Sequence, residues 1–382
     1  MKIAIKKRAA YALLVWATGL FYPVFSQAAI PVQHWTQPGG ARVYLIESPA
    51  IAMVDVQVDV DGGSRRVAAD QTGLAGAVAA LLSKGVAARN GAAALDENAL
   101  GEAWADLGAQ FGASAGSDRF SFSLRSLTEP DLLGRAVSLA ARQIADPSFP
   151  EAVWQRDRQR LLAQLKESYT RPAYLAARAF SEAVYRSHPY GQEVSEATLA
   201  RISVADMRAF HARYISACNA RVSIVGALTR AQADALVTGL LARLPTIDCA
   251  AVPPLPQVPE VAPLDQARLI RIPFDSAQAH VLLGQPGYKR DDPDFFALTV
   301  GNYELGGGGF VSRLTEEVRE KRGLSYSVSS YFAPGRHAGA FTLGLLQRRN
   351  LRHLRQRGRG STVAGRQPRQ QASHEGISLR AR

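Results

Sequence analysis

The sequence predicts an α+β protein built from two homologous units. Three observations lead there. On each side of a proline-rich stretch at 249–263 (CAAVPPLPQVPEVAP) the chain opens with two strands, two helices and a return to strand, in the same order. Corresponding segments lie about 220 residues apart, the signature of an internal repeat. The 382 residues are 47% hydrophobic and 20% charged, a globular composition with enough length for two cores.

In the first unit, residues 42–46 (RVYLI) and 53–60 read as strands, the second with Val54, Val56, Val58 and Val60 in strict alternation. Helices are expected at 74–83 and 96–107, followed by Gly112 and the alternating strand 120–124 (FSFSL). Helices at 129–146, 150–168, 172–185 and 204–214 come next, then a strand at 220–225 and a helix running to Leu244. The stretch 249–263 has neither period and reads as a linker between units spanning 30–248 and 264–346. The second unit is expected to hold strands at 267–272 and 280–283, helices at 295–303 and 312–321, and strands at 324–331 and 341–345. The elements that close the first unit have no counterpart here. From Gln347 the chain becomes Arg-rich and loses its periodicity, so the second unit reads as truncated. Residues 347–382 then form a basic tail, either native or the product of a shifted reading frame.

The formal charge of +12 sits at the two ends. Residues 1–29 carry four Lys and Arg and no acid, and residues 347–382 carry ten Arg and one Glu, which leaves the body between them at −1. A nearly neutral body argues against a broad phosphate-binding face, so nucleic acid is not an expected partner. Residues 1–29 combine a basic start, an apolar run and the small-residue exit Ser26-Gln27-Ala28-Ala29, the pattern of an export signal cleaved after Ala28 or Ala29. The run is short of the roughly 20 apolar residues a bilayer needs, so no stable membrane insertion is expected after cleavage. Export places the chain in the periplasm or outside the cell. An oxidising destination leaves Cys218 and Cys249 free to pair or to stay as thiols.

Five segments carry a more specific signal. Residues 73–85 read GLAGAVAALLSKG, residues 188–191 read HPYG, and 305–310 read LGGGGF. Ser312-Arg313-Leu314 follows, and then 317–326 reads EVREKRGLSY, with Arg319 and Tyr326 seven residues apart and Gly323 placed to end a helix. Together these resemble the insulinase/pitrilysin family of zinc peptidases, which includes the mitochondrial processing peptidase, over residues 40 to about 346. The resemblance implies two α/β sandwich domains of that family's kind. In the family the first catalytic helix reads approximately G-L-A-H-x-x-E-H-x-x-x-K-G, its two histidines holding zinc from one helix face while the glutamate activates water. Here Gly76 and Ala80 occupy the histidine positions and Ala79 the glutamate position. The third ligand position falls near Ala163 or Gln164, with Glu167 close by. The seven histidines, at 34, 188, 211, 280, 337, 353 and 374, include no pair four apart. The chain is expected to bind no metal and to cleave nothing alone.

Lost zinc ligands beside a kept Arg/Tyr pair match the non-catalytic subunits of two-chain family members. The resemblance therefore implies a periplasmic pseudo-peptidase that partners a zinc-bearing homologue and binds peptide. Arg319 and Tyr326 would contact the substrate backbone and the developing oxyanion, and Gly306, Gly307, Gly308 and Gly309 would line the substrate path. Peptide would lie extended along a sheet edge. A different class of function is a scaffold or assembly subunit with no role in proteolysis, like the core subunits of the respiratory bc1 complex. A third rests on residues 347–382 alone, as a basic module for anionic surfaces.

Overall fold

The computed structural model describes residues 30–348; the expected export signal and the chain beyond Arg348 lie outside the described residues. Among the described residues the chain divides into two compact units. The first holds the chain up to Glu167 together with Ser187–Glu260, and the second holds Ser168–Arg186 together with the chain from Val261.

The elements of the first unit run β1 (Gln33–Thr36), β2 (Arg42–Glu47), β3 (Met53–Val60), α1 (Leu74–Leu81), the short pair β4 (Gly85–Val86) and β5 (Leu95–Asp96), and α2 (Glu97–Asp106). Then come β6 (Gln110–Ala115), β7 (Phe120–Leu127), α3 (Pro130–Ala145) and α4 (Glu151–Ser168). Helix α5 (Pro172–Tyr185) belongs to the second unit, and α6 (Glu196–Arg201), α7 (Val204–Tyr214), β8 (Ala220–Gly226) and α8 (Arg230–Leu241) complete the first. Their sequence explains them locally. Asp96 caps α2 by accepting from Ala99 N at 2.9 Å, Pro130 and Pro172 open α3 and α5, and α6, α7 and α8 each start on a capping box, at Ser195, Ser203 and Thr229.

Six strands form one sheet in the order β1-β2-β8-β3-β7-β6. Only β2 and β8 are parallel, as strands joined by a long excursion of chain must be to lie side by side in this sense. The valines of β3 that alternate in sequence all point to one face and are at most 3% exposed, against Phe120, Phe122 and Leu124 of β7 and Val222 and Ile224 of β8. Helices α3 and α8 pack together and contribute Ala136, Ala140, Ile144, Ala233 and Val237 to the same core. Trp154 of α4 is buried and donates to Ile202 O at 3.1 Å, which ties the long helix to the chain entering α7.

The proline-rich stretch contains no helix or strand. It is nevertheless held: Arg66 donates to Pro256 O, the ring of His188 lies 3.0 Å from Pro259 O, and Leu255 packs on the core. Its first residue, Cys249, is joined to Cys218 by a disulfide, which settles the alternative left open by the sequence.

The second unit has three strands, β9 (Gln278–Pro286), β10 (Ser327–Phe332) and β11 (Ala340–Arg348), ordered β10-β11-β9 and antiparallel throughout. This repeats the first unit's β6-β7-β3 arrangement, strand for strand. Between β9 and β10 lies α9 (Phe295–Asn302). Helix α5 packs on β9, where Gly284 leaves room for Phe180, and the Tyr185 hydroxyl accepts from Ala340 N at 2.8 Å. The sequence bounds drawn at 30–248 and 264–346 leave this helix in the first unit, whereas its packing joins it to the second.

Two local expectations are corrected. Residues 267–272 form no strand. Their counterpart, β2, exists by pairing with β1 and β8, and among the described residues the second sheet has neither partner. A β-prone segment without a ladder leaves its backbone groups to water. The helix expected at 312–321 is shorter and wound as a π-turn over Thr315–Glu320, with Lys321 N donating to Glu316 O at 2.9 Å. No described helix is long and apolar enough to cross a membrane.

Candidate functional site

Helix α1 carries the frame of a zinc helix without its chemistry. Gly76 and Ala80, four apart, share its exposed face, and Ala79 is buried. A Cβ at Gly76 would meet nothing within 4 Å, so the space where a longer side chain would leave the helix is open. None of these residues offers a nitrogen, sulfur or carboxylate oxygen, so zinc does not fit the residues present here. On α4, Ala163, Gln164 and Glu167 are all exposed. Among the described residues, no group of three or more His, Cys, Asp or Glu is placed to hold a metal ion.

The rest of that region is built from ion pairs. Lys84, at the end of the helix frame, donates to Glu97 Oε1 at 2.5 Å, and Arg156 of α4 reaches Glu97 Oε2 at 3.2 Å. The hydrogen bond from Lys84 is the main cause holding the Glu97 carboxyl below its ordinary range, with Arg156 adding to it. The HPYG segment is a structural turn. Buried His188 accepts from Tyr190 N through Nδ1 at 3.1 Å, and the Tyr190 hydroxyl donates to Asp118 at 2.6 Å.

In the second unit the chain leaving α9 tightens into a π-turn, Tyr303–Gly307, closed by Gly308 N donating to Tyr303 O at 2.8 Å. Gly306 must be glycine for packing: a Cβ there would stand 2.4 Å from Ser330 Oγ of β10. Asn302 locks the turn to the same strand, accepting from Ser330 Oγ at 2.7 Å and donating to Ser330 O at 3.2 Å. The far end of the loop is held by Ser312 and Thr315, whose hydroxyls both donate to Gly309 O, at 2.8 and 2.9 Å. The glycine run is thus fixed at both ends by its own unit.

This anchoring presents Phe310 and carries the chain into the π-turn that bears Arg319. The guanidinium carbon of Arg319 lies 4.9 Å from the centre of the Phe310 ring and 5.3 Å from that of Tyr326. Both distances are within cation–π reach. Gly323, with φ of 58°, ends the helical stretch and turns the chain so that Tyr326, just before β10, comes back to Arg319. Tyr326 N donates to Leu346 O at 3.3 Å, which fixes its backbone to the sheet while the side chain stays 79% exposed. Arg319 Nε also lies 3.4 Å from Glu320. Beside the pair, Lys321 and Arg322 hydrogen-bond Glu317 and hold its carboxyl down at about 2. The result is a half-buried guanidinium next to an exposed phenol, two donors on anchored backbone, suited to hydrogen-bonding carbonyl or carboxylate oxygens. Phe310 is the member that sequence reasoning missed; its only signal was its place directly after the four glycines.

Residues 42–198 match the family model described as insulinase (peptidase family M16), and residues 201–355 match the peptidase M16 inactive domain. An uncharacterized zinc protease of Streptomyces coelicolor is 26% identical over 313 residues, covering 81% of this chain and 66% of that protein. The crystal structure of a peptidase M16 inactive domain from Pseudomonas fluorescens is 34% identical, covers 83% of this chain and 74% of its own, and superposes with a TM-score of 0.77. A protease from Helicobacter pylori, at 19% identity, shares the fold with a TM-score of 0.74 over 86% of this chain and 78% of its own.

Proposed function

The chain belongs to the insulinase family of peptidases, M16, and from that premise we propose that it is the non-catalytic subunit of a two-chain peptidase, binding peptide through Arg319 and Tyr326 beside a homologous partner that holds the zinc. One observation carries the reading. The positions that would bear metal ligands and general base hold Gly76, Ala79 and Ala80, while the Arg319 guanidinium and Tyr326 phenol are kept and stand together. Loss of only one of the family's two sets of functional groups fits a chain whose chemistry is completed by another.

On this reading the residues of this chain bind and orient. Tyr326 Oη and the Arg319 N–H groups donate to a peptide carbonyl oxygen, and they donate more strongly as that oxygen gains charge. Phe310 keeps the guanidinium beside the phenol. Gly306–Gly309 supply a close-packed wall that admits main chain. Export to the periplasm is supported by the composition of residues 1–29 and by the Cys218–Cys249 disulfide, a bond commoner in oxidising compartments than in reducing ones.

The test is reconstitution. The mature chain and a homologue with an intact H-x-x-E-H helix are assayed on a peptide library separately, together, and together with chelator. Cleavage that requires both chains supports the proposal. A partner fully active by itself, with no change on adding this chain, supports the scaffold role instead.

A further inference from the structure

A cleft of about 550 Å³ opens on the first unit between β1 and the first turn of α8, lined by Trp35, Gln37, Pro38, Arg230, Ala231 and Asp234. Its polar groups fix one another. Asp234 Oδ1 accepts from Trp35 Nε1 at 2.6 Å and from Gln37 Nε2 at 3.1 Å, and Gln37 Nε2 also donates to Asp234 O at 2.9 Å. A carbonyl and a carboxylate only accept, so these contacts decide which end of the Gln37 amide is nitrogen and which is oxygen. Arg230 lies over the Trp35 ring, its guanidinium carbon 5.1 Å from the ring centre.

These contacts tie β1 to α8 and leave three groups over. Gln37 is only 8% exposed, yet its Oε1 accepts from nothing among the described residues. The second carboxylate oxygen of half-buried Asp234, Oδ2, also has no donor among them. Exposed Arg230 makes no side-chain hydrogen bond or ion pair among the described residues, not even with Asp234 four residues along the same helix. A guanidinium stacked on an indole keeps its N–H edge for a ligand, and its fixed plane matches a carboxylate.

We propose that this cleft binds a small apolar zwitterion, a free amino acid or a dipeptide. The ligand's carboxylate accepts from the Arg230 N–H groups. Its ammonium donates to Asp234 Oδ2 and Gln37 Oε1, which belong to groups already hydrogen-bonded to each other. Its side chain lies along Trp35, Pro38 and Ala231. Charge selects this class: a simple anion would be drawn to Arg230 and repelled by Asp234, and a simple cation the reverse, whereas a zwitterion meets an opposite charge at each end. The proposal does not depend on the peptidase-subunit reading.

The experiment is calorimetric titration of the full mature chain, at millimolar ligand, with leucine, leucyl-leucine, N-acetyl-leucine, which lacks the ammonium, and leucinamide, which lacks the carboxylate. Leucine or leucyl-leucine should bind, and the tighter of the two shows which spacing of charges the cleft fits. Each blocked compound should bind about ten- to a hundredfold more weakly, the range for losing a hydrogen bond to a charged group. Arg230→Gln should weaken leucine and leucyl-leucine by a similar factor and leave leucinamide unchanged. Asp234→Asn, which keeps an oxygen for Trp35 and Gln37, should weaken them and leave N-acetyl-leucine unchanged. Circular dichroism checks that both variants fold, and should one misfold, the four compounds on the parent still discriminate. No binding of leucine or leucyl-leucine, equal binding of blocked and unblocked compounds, or binding that survives both substitutions would each overturn the proposal.

Discussion

The Arg319 guanidinium stands 5.3 Å from the Tyr326 ring although one residue lies in a π-turn and the other just before a sheet strand. Phe310, 4.9 Å from the same guanidinium, is the third member. An exposed cation–π contact contributes about 0.5–1 kcal/mol. Phe310→Ala should therefore lower stability by no more than that while weakening peptide binding to the reconstituted pair. Phe310→Tyr should restore binding. Equal peptide affinity in parent and Phe310→Ala, measured by titration with the same peptide, would remove Phe310 from the site.

The metal prediction follows from donor atoms. Gly76, Ala79 and Ala80 have none, so tag-free protein should contain far less than one zinc per chain by metal analysis. One equivalent of zinc retained through dialysis would refute the reading of α1.

The disulfide closes a 31-residue separation around β8 and α8. A bridge over a loop of that size stabilises by about 2–4 kcal/mol. Cys218→Ser/Cys249→Ser should lower the urea midpoint of the first unit accordingly, and reductant should do the same to the parent. An unchanged midpoint in both would contradict this.

Asp61 supplies a pH test. Burial disfavours its charge, but the hydrogen bond from Arg66 and the charges of Arg65 and Arg66 together outweigh burial and hold its carboxyl below the ordinary 3.8. A carboxyl depressed in the folded state contributes stability that is complete above its unfolded value and is lost as pH falls through the folded value. Asp61→Asn should therefore cost about 1–3 kcal/mol at pH 7, the range for leaving a buried polar group short of a partner. The gap between parent and variant should shrink below about pH 4. A gap of constant size from pH 7 to pH 3 would show that the charge of Asp61 is not what matters.

Much of the fold was legible because its signals are local. The valine alternation of β3, the capped helices and the strand FSFSL needed only their own neighbours in sequence. Residues 42–46 and 267–271, RVYLI and ARLIR, look alike in isolation, yet only the first is a strand, because pairing with β1 and β8 is a property of distant chain. Helix α5 was legible as a helix; an amphipathic pattern says that a face is buried, not against which sheet. In the site, the missing donors at Gly76, Ala79 and Ala80 could be read directly. The convergence of Phe310 on Arg319 could not, since it depends on two π-turns that no periodicity encodes.

The most direct test of the shared-site account is Tyr326→Phe in the reconstituted two-chain peptidase, with turnover measured beside a sizing column. The change keeps the ring next to Arg319 and removes one hydroxyl donor. The account predicts an intact complex whose kcat falls by roughly 10²–10³, the range for deleting one oxyanion donor. An intact complex with unchanged kcat and KM would contradict it and leave the scaffold role in its place.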